Sequence, residues 1–127
     1  MIALDASVVI AALDSRDAHH NTAAALLREH FETGFRMHPL TVSESLVSAV
    51  QQGRGQQVVA DLAALNIHTA AVRPTEPLHL AELRVKTGLR LPDCCVLVVA
   101  LSEIGGLATF DKRLAAAAES LGVRVVG

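Results

Sequence analysis

Short apolar runs alternate with helical stretches from one end of this chain to the other, and that rhythm restricts its fold more than any other feature. Ile2-Ala3-Leu4 reads as a buried strand, and Asp5-Ala6-Ser7 supplies capping chemistry before the apolar run Val8 to Leu13. After a polar turn, Ala23, Leu26, Leu27 and Phe31 recur on one helical face, and Gly34 ends that helix. Phe35-Arg36-Met37-His38 reads as a second strand closed by Pro39, and a helix from Thr41 to Gln52 is expected to turn Val42, Leu46, Val47 and Val50 inward. Gly53-Arg54-Gly55 breaks it, Val58, Val59, Leu62 and Leu65 mark a further helix, and Ile67 to Val72 is a short strand. Leu78 to Thr87 is helical and stops at Gly88, after which Leu91-Pro92-Asp93 opens a helix whose body, Cys94 to Leu101, is apolar all round and must be central. Gly105-Gly106 lead into the strand Leu107 to Phe110, Asp111 opens a helix with Leu114, Ala117, Ala118 and Leu121 inward, and Val123 to Val126 is the last strand. Such alternation predicts an α/β fold in three layers, a central mostly parallel sheet flanked by helices. At 127 residues, one domain over 1–127 is expected.

Composition removes several classes of function. Hydrophobic residues make up 51% and mean hydropathy is +0.40, yet no apolar run approaches the roughly 18 residues that span a bilayer, so no membrane partner is expected. The net charge is −2 and the pI near 6.3, whereas passive nucleic-acid binders show a pI above about 9. Aromatic residues are 2% with no Trp or Tyr, which argues against base-stacking platforms. The basic residues are nine Arg and two Lys, a bias toward forked contacts with phosphate or carboxylate. Cys94 and Cys95 are adjacent, unsuited to a loop-closing disulfide or a spaced metal pair, and read as core residues in a reducing compartment. The first residues lack a positive leader, and a cytoplasmic location is the expectation.

Sites in an open parallel sheet form beyond the carboxyl ends of strands. Asp5 and Asp111 each sit where a strand gives way to a helix, Glu44 is expected in a first helical turn, and Asp93 lies one residue past Pro92. Singly, each acid has an ordinary structural use: Thr41-Val42-Ser43-Glu44 fits a capping box, Asp5 and Asp111 fit N-caps, and Asp93 fits the preference for acids in a first turn. Jointly they differ, because carboxylates about 4 Å apart repel by roughly 4 kcal/mol at an effective dielectric of about 20. A convergent set therefore needs a shared proton or a cation, and hard oxygen ligands favour Mg²⁺ or Mn²⁺. His19-His20, beside Asp17, is the metal-free acid–base alternative. No Gly-rich phosphate loop, spaced Cys/His set or Gly-x-Ser-x-Gly elbow is present.

Asp5-Ala6-Ser7, Glu44 after a Pro-x-Thr turn, Leu91-Pro92-Asp93 and Thr109-Phe110-Asp111 resemble, in that order, the acidic motifs of PIN-domain ribonucleases, most closely the VapC toxins of bacterial toxin–antitoxin pairs. The resemblance implies hydrolysis of RNA phosphodiesters to 5′-phosphate and 3′-hydroxyl ends, with Asp5, Glu44, Asp93 and Asp111 holding one or two Mg²⁺ or Mn²⁺ ions. Ser7 and Thr109 would orient those acids, and Arg84, Lys86, Arg90, Lys112 and Arg113 are candidates for RNA phosphate contact or for ordinary solvated surface. Many relatives carry Asn where this chain has Ser7, and some carry a further acid where it has Lys112-Arg113-Leu114, which leaves the number of ions open. A VapB-type antitoxin would cover the site, inserting an Arg or Lys among the acids while an apolar segment lies near Val42 to Val50, and the surplus of apolar surface suits a homodimer. Rival readings are a PIN nuclease of RNA processing without an antitoxin, and a non-catalytic interaction domain whose acids merely cap helices.

Overall fold

Ile2, Ala3 and Leu4 are each no more than 2% exposed because their strand, β1 (Ile2–Leu4), is the middle of a sheet covered on both faces. The computed structural model describes residues 1–127. Its other strands are β2 (Phe35–Met37), β3 (Ile67–Thr69), β4 (Leu107–Ala108) and β5 (Val125–Val126), in the order β3-β2-β1-β4-β5. Every pairing is parallel, with Ile2 opposite Phe35, Ala3 opposite Leu107, Phe35 opposite Ile67 and Leu107 opposite Val125. Seven helices cover the sheet: α1 (Ala6–Leu13), α2 (His20–Glu29), α3 (Pro39–Gln51), α4 (Gly55–Ala64), α5 (Glu76–Thr87), α6 (Leu91–Ser102) and α7 (Lys112–Ser120).

Alternation along β1 divides the core in two. Ile2 and Leu4 join Val8, Leu26, Phe35 and Met37 beneath α1 to α4, while Ala3 joins Leu97, Leu107 and Leu114 beneath α5 to α7. The chain runs outward from β1 through β2 and β3, then returns to lay β4 and β5 on the other side, so the order reverses between β1 and β4. Gly105 and Gly106 make that return possible. A Cβ on Gly105 would stand 2.3 Å from Met1 O, and one on Gly106, at φ +92, 2.4 Å from Arg124 O. Helix α6 is central as expected, with Cys94, Cys95, Val96, Leu97, Val99 and Ala100 all buried.

Several boundaries differ from the sequence reading. His38 ends no strand: at φ −62 and ψ 144 it is the N-cap of α3, which begins at Pro39 rather than Thr41. Proline at the first helical position holds its predecessor extended, so His-Pro marks a helix start. The inward face of α3 is Thr41, Ser45 and Ala49, with Val42 and Leu46 packed alongside. Val47 and Val50, expected inside, are 55% and 63% exposed. Small residues let α3 approach α1 and α6 closely, and Ser45 stays inside because its Oγ donates to Thr41 O, 2.9 Å away. Phe31 lies beyond the end of α2 and is 45% exposed, not a core residue.

Candidate active site

The carboxyl ends of β1 and β4 flank the reversal of strand order, where an open parallel sheet leaves a crevice. Asp5 follows β1 as the N-cap of α1, and its Oδ1 accepts the Ala6 N–H at 2.8 Å. Its Oδ2 accepts hydroxyl hydrogen bonds from Ser7 (2.9 Å) and Thr109 (2.7 Å). Ser7 Oγ in turn accepts the Phe110 N–H at 3.1 Å, and Thr109 Oγ1 accepts the Asp111 N–H at 3.0 Å. Two hydroxyls thus stitch the β1–α1 corner to the β4–α7 corner and fix the Asp5 carboxylate from both sides.

Two acids of the set cap helices, Asp5 through the Ala6 N–H alone and Asp111 more fully. Asp111 Oδ1 accepts the N–H groups of Arg113 (2.9 Å) and Leu114 (3.2 Å), the bonding of a true N-cap. Glu44 is the sixth residue of α3, a full turn past the orphan N–H groups, so the capping-box expectation fails with the helix start. Asp93 is the third residue of α6, and neither its carboxylate nor that of Glu44 has a hydrogen-bond partner in the protein. Glu44 is held above the usual carboxylate range by burial and then by the charges of Asp5 and Asp93, with Arg90 opposing. Asp93 is raised by burial and then by Asp111 and Asp5, with Arg90 and Arg113 opposing. Glu44 thus lies within reach of the charges of Asp5 and Asp93, and Asp93 within reach of those of Asp5 and Asp111. An all-oxygen donor set with two unpaired, mutually repelling carboxylates suits a hard divalent cation.

These shifts set a pH dependence of stability. A carboxyl whose folded-state pKa is raised favours the fold below its ordinary value, 3.8 for Asp93 and 4.5 for Glu44, and loses that contribution as pH rises through the raised value. In chelator, Asp93→Asn and Glu44→Gln are therefore expected to melt above the wild type, by a margin that opens as pH is taken from about 4 to about 7. Thermal melts across that range check this, and a margin independent of pH would contradict it.

Among the basic candidates, Arg90 and Arg113 act on the acids, as those opposing charges show. Arg84 is engaged elsewhere, its Nη1 donating to Gly88 O (3.1 Å) and Leu89 O (2.8 Å) across the turn between α5 and α6. Lys86, Lys112 and Arg113 are exposed. A second polar cluster escaped the sequence reading: His38, Glu76 and Cys95 are buried, with ligand atoms all within 4.8 Å of one another. Their atom types suit a metal, but the hydrogen bonds run otherwise. His38 Nδ1 accepts the Leu40 N–H at 3.1 Å, which leaves the ring proton on Nε2, 2.5 Å from Glu76 Oε1. A metal-bound imidazole needs its other nitrogen to donate, and here that nitrogen faces a donor. Burial, then Glu76, Cys94 and Glu44, push the Cys95 thiol up to about 11, so it stays a thiol at neutral pH. Glu76 and His38 thus form a neutral-imidazole brace between α5 and the start of α3.

The fold is a five-stranded parallel sheet between helical layers, with Asp5 and Asp111 following the two strands that flank the reversal of strand order. The PIN domain family model matches residues 2–120, and the chain belongs to that family. PIN domains are generally metal-dependent nucleases, with RNA as the general kind of substrate. The crystal structure of PAE2754 from Pyrobaculum aerophilum is similar in fold, with a TM-score of 0.62 over 97% of this chain and 87% of that one at 19% identity. No curated protein matches the chain in sequence. No helix is long and apolar enough to cross a membrane.

Proposed function

We propose that the chain is a Mg²⁺- or Mn²⁺-dependent endoribonuclease and the toxin of a VapBC-type toxin–antitoxin pair, acting in the cytoplasm as a homodimer. The observation that carries the nuclease reading is that Glu44 and Asp93 have no hydrogen-bond partner in the protein and are raised first by burial and then by neighbouring carboxylates, Asp5 and Asp93 for Glu44, Asp111 and Asp5 for Asp93. Asp5, Glu44, Asp93 and Asp111 would hold the ion. When bound, it supplies Lewis acidity toward an attacking water and neutralises charge building on the phosphate. The chain's own contribution is orientation. Ser7, Thr109 and the Ala6 N–H hold Asp5 in one rotamer, and Arg90 and Arg113 offer positive charge to the RNA backbone at the rim.

The toxin reading is supported by exposed apolar side chains on α1 and α3, which pack together. Ile10 is 44%, Leu13 39%, Val47 55% and Val50 63% exposed, and apolar segments of an antitoxin would cover them. An antitoxin Arg reaching the carboxylates would then exclude the ion and the RNA together.

The deciding experiment is RNA cleavage by the purified full chain. Cleavage with Mg²⁺ or Mn²⁺, loss in chelator and recovery on adding the ion back are expected, with 5′-phosphate ends on the products. Undiminished cleavage in chelator would return catalysis to His19 or His20. Co-purification with the product of a short adjacent reading frame separates a toxin from an RNA-processing nuclease.

A further inference from the structure

The acids explain what is done to a phosphate but not what holds the base beside it. One aromatic surface is carried by the segment that holds Thr109 and Asp111. The rings of His19 and Phe110 stack with centroids 4.4 Å apart and 14° from parallel. Phe110 is half-buried, between Thr109, which bonds Asp5, and Asp111, and its own N–H is bonded to Ser7. The chain has three phenylalanines and no Trp or Tyr; Phe35 is in the core and Phe31 lies beyond the end of α2. Phe110, packed at the edge of the core beneath α1 to α4, is therefore the one such ring in a segment next to a candidate acid, Asp111.

His19 is exposed and covers one face of Phe110, leaving the outer face of its own ring to solvent. Its backbone is fixed: its N–H donates to Asp17 Oδ1 (2.8 Å), and its carbonyl accepts the Ala23 N–H (2.9 Å). His20 is turned inward, its Nδ1 2.9 Å from Ala11 O, so the two histidines have separate uses. An anchored ring with one free face requires little further ordering when another flat ring joins it.

We propose that the His19–Phe110 stack is a platform for one nucleobase next to the phosphate to be cut. This rests on the RNA-cleaving reading above. A tally of Phe, Trp and Tyr misses it, because imidazole also offers a π-face to a base.

The test uses the full-length wild type, His19→Ala and His19→Phe. His19→Ala is expected to raise KM for a short RNA about 10-fold, with kcat held within about 2-fold, and His19→Phe to restore KM. An abasic nucleotide at the stacked position should raise the wild-type KM to that of His19→Ala and leave His19→Ala unchanged. A second readout needs no cleavage: 2-aminopurine at that position, walked along the RNA in chelator, should be quenched by the wild type and by His19→Phe but not by His19→Ala. Unchanged KM together with equal quenching in all three proteins overturns the platform and leaves the nuclease reading intact. If no RNA is cleaved, the nuclease reading fails and the quenching pattern alone decides the platform. A loss of melting temperature in His19→Ala without a change in KM or quenching would assign the stack to structure.

Discussion

Replacing Asp5 or Asp93 by Asn is expected to lower the rate of RNA cleavage by at least about 100-fold if these acids hold the ion, because changes one shell further out in metal sites already cost about 10–100-fold. The two variants part company in stability. Asp93 has no hydrogen-bond partner and is crowded by Asp111 and Asp5, so Asp93→Asn removes repulsion and raises the melting temperature. Asp5 accepts from the Ala6 N–H and from the Ser7 and Thr109 hydroxyls, and an amide supplies only one acceptor oxygen for three donors. Asp5→Asn is therefore expected to cost about 1–3 kcal/mol besides the activity. Asp111→Asn is the mildest, since Asn caps a helix about as well as Asp and the acid motif around it is the least faithful. If the acids only capped helices, each change would cost about 0.5–2 kcal/mol and leave cleavage untouched. Parallel cleavage rates and thermal melts separate the two accounts, and full activity in Asp93→Asn would remove Asp93 from the site.

The order of elements was legible because it depends on local chemistry. Alternating apolar runs, Pro92 just inside α6 and an acid after β1 and β4 are all written within a few residues of where they act. Strand lengths were less so. Thr109 and Phe110 read as strand by type, but Thr109 leaves the ladder to bond Asp5, and β4 stops at Ala108. The inward face of α3 failed for a related reason. Valine outranks serine in any hydrophobic pattern, yet close approach to neighbouring helices selected Thr41, Ser45 and Ala49. Asp5, Glu44, Asp93 and Asp111 stand out in the sequence only by position, whereas the coupling of Glu44 to Asp5 and Asp93, and of Asp93 to Asp5 and Asp111, depends on the strand order that brings their elements together. The brace of His38 and Glu76 had no motif at all. It joins residues 38 positions apart, and the one local sign was the His-Pro step at the start of α3.

That brace carries the largest expected loss of stability. Glu76 is 6% exposed and His38 8%, and the Nε2–H of His38 is the carboxylate's only hydrogen bond to a side chain. His38→Ala leaves a buried carboxylate without its hydrogen-bond donor, a change that costs about 3 kcal/mol for a charged acceptor, and it also removes the acceptor for the Leu40 N–H at the start of α3. Glu76→Gln leaves an amide oxygen to accept the same Nε2–H and removes the buried charge, so it should cost about 1 kcal/mol or less. His38→Gln is the intermediate control, restoring a donor toward Glu76 without the ring. Denaturant titration in chelator ranks the three, and a Glu76→Gln loss as large as that of His38→Ala would mean that the carboxylate is needed for its charge. The same series reads the link to the site. Glu44 is the sixth residue of the helix that His38 caps, so a loosened α3 start should weaken Mn²⁺ binding in His38→Ala while Glu76→Gln binds as the wild type does. Mn²⁺ titration at a temperature where His38→Ala is still folded makes the comparison, and equal affinity in all the variants would show that the cap stabilises α3 without placing Glu44.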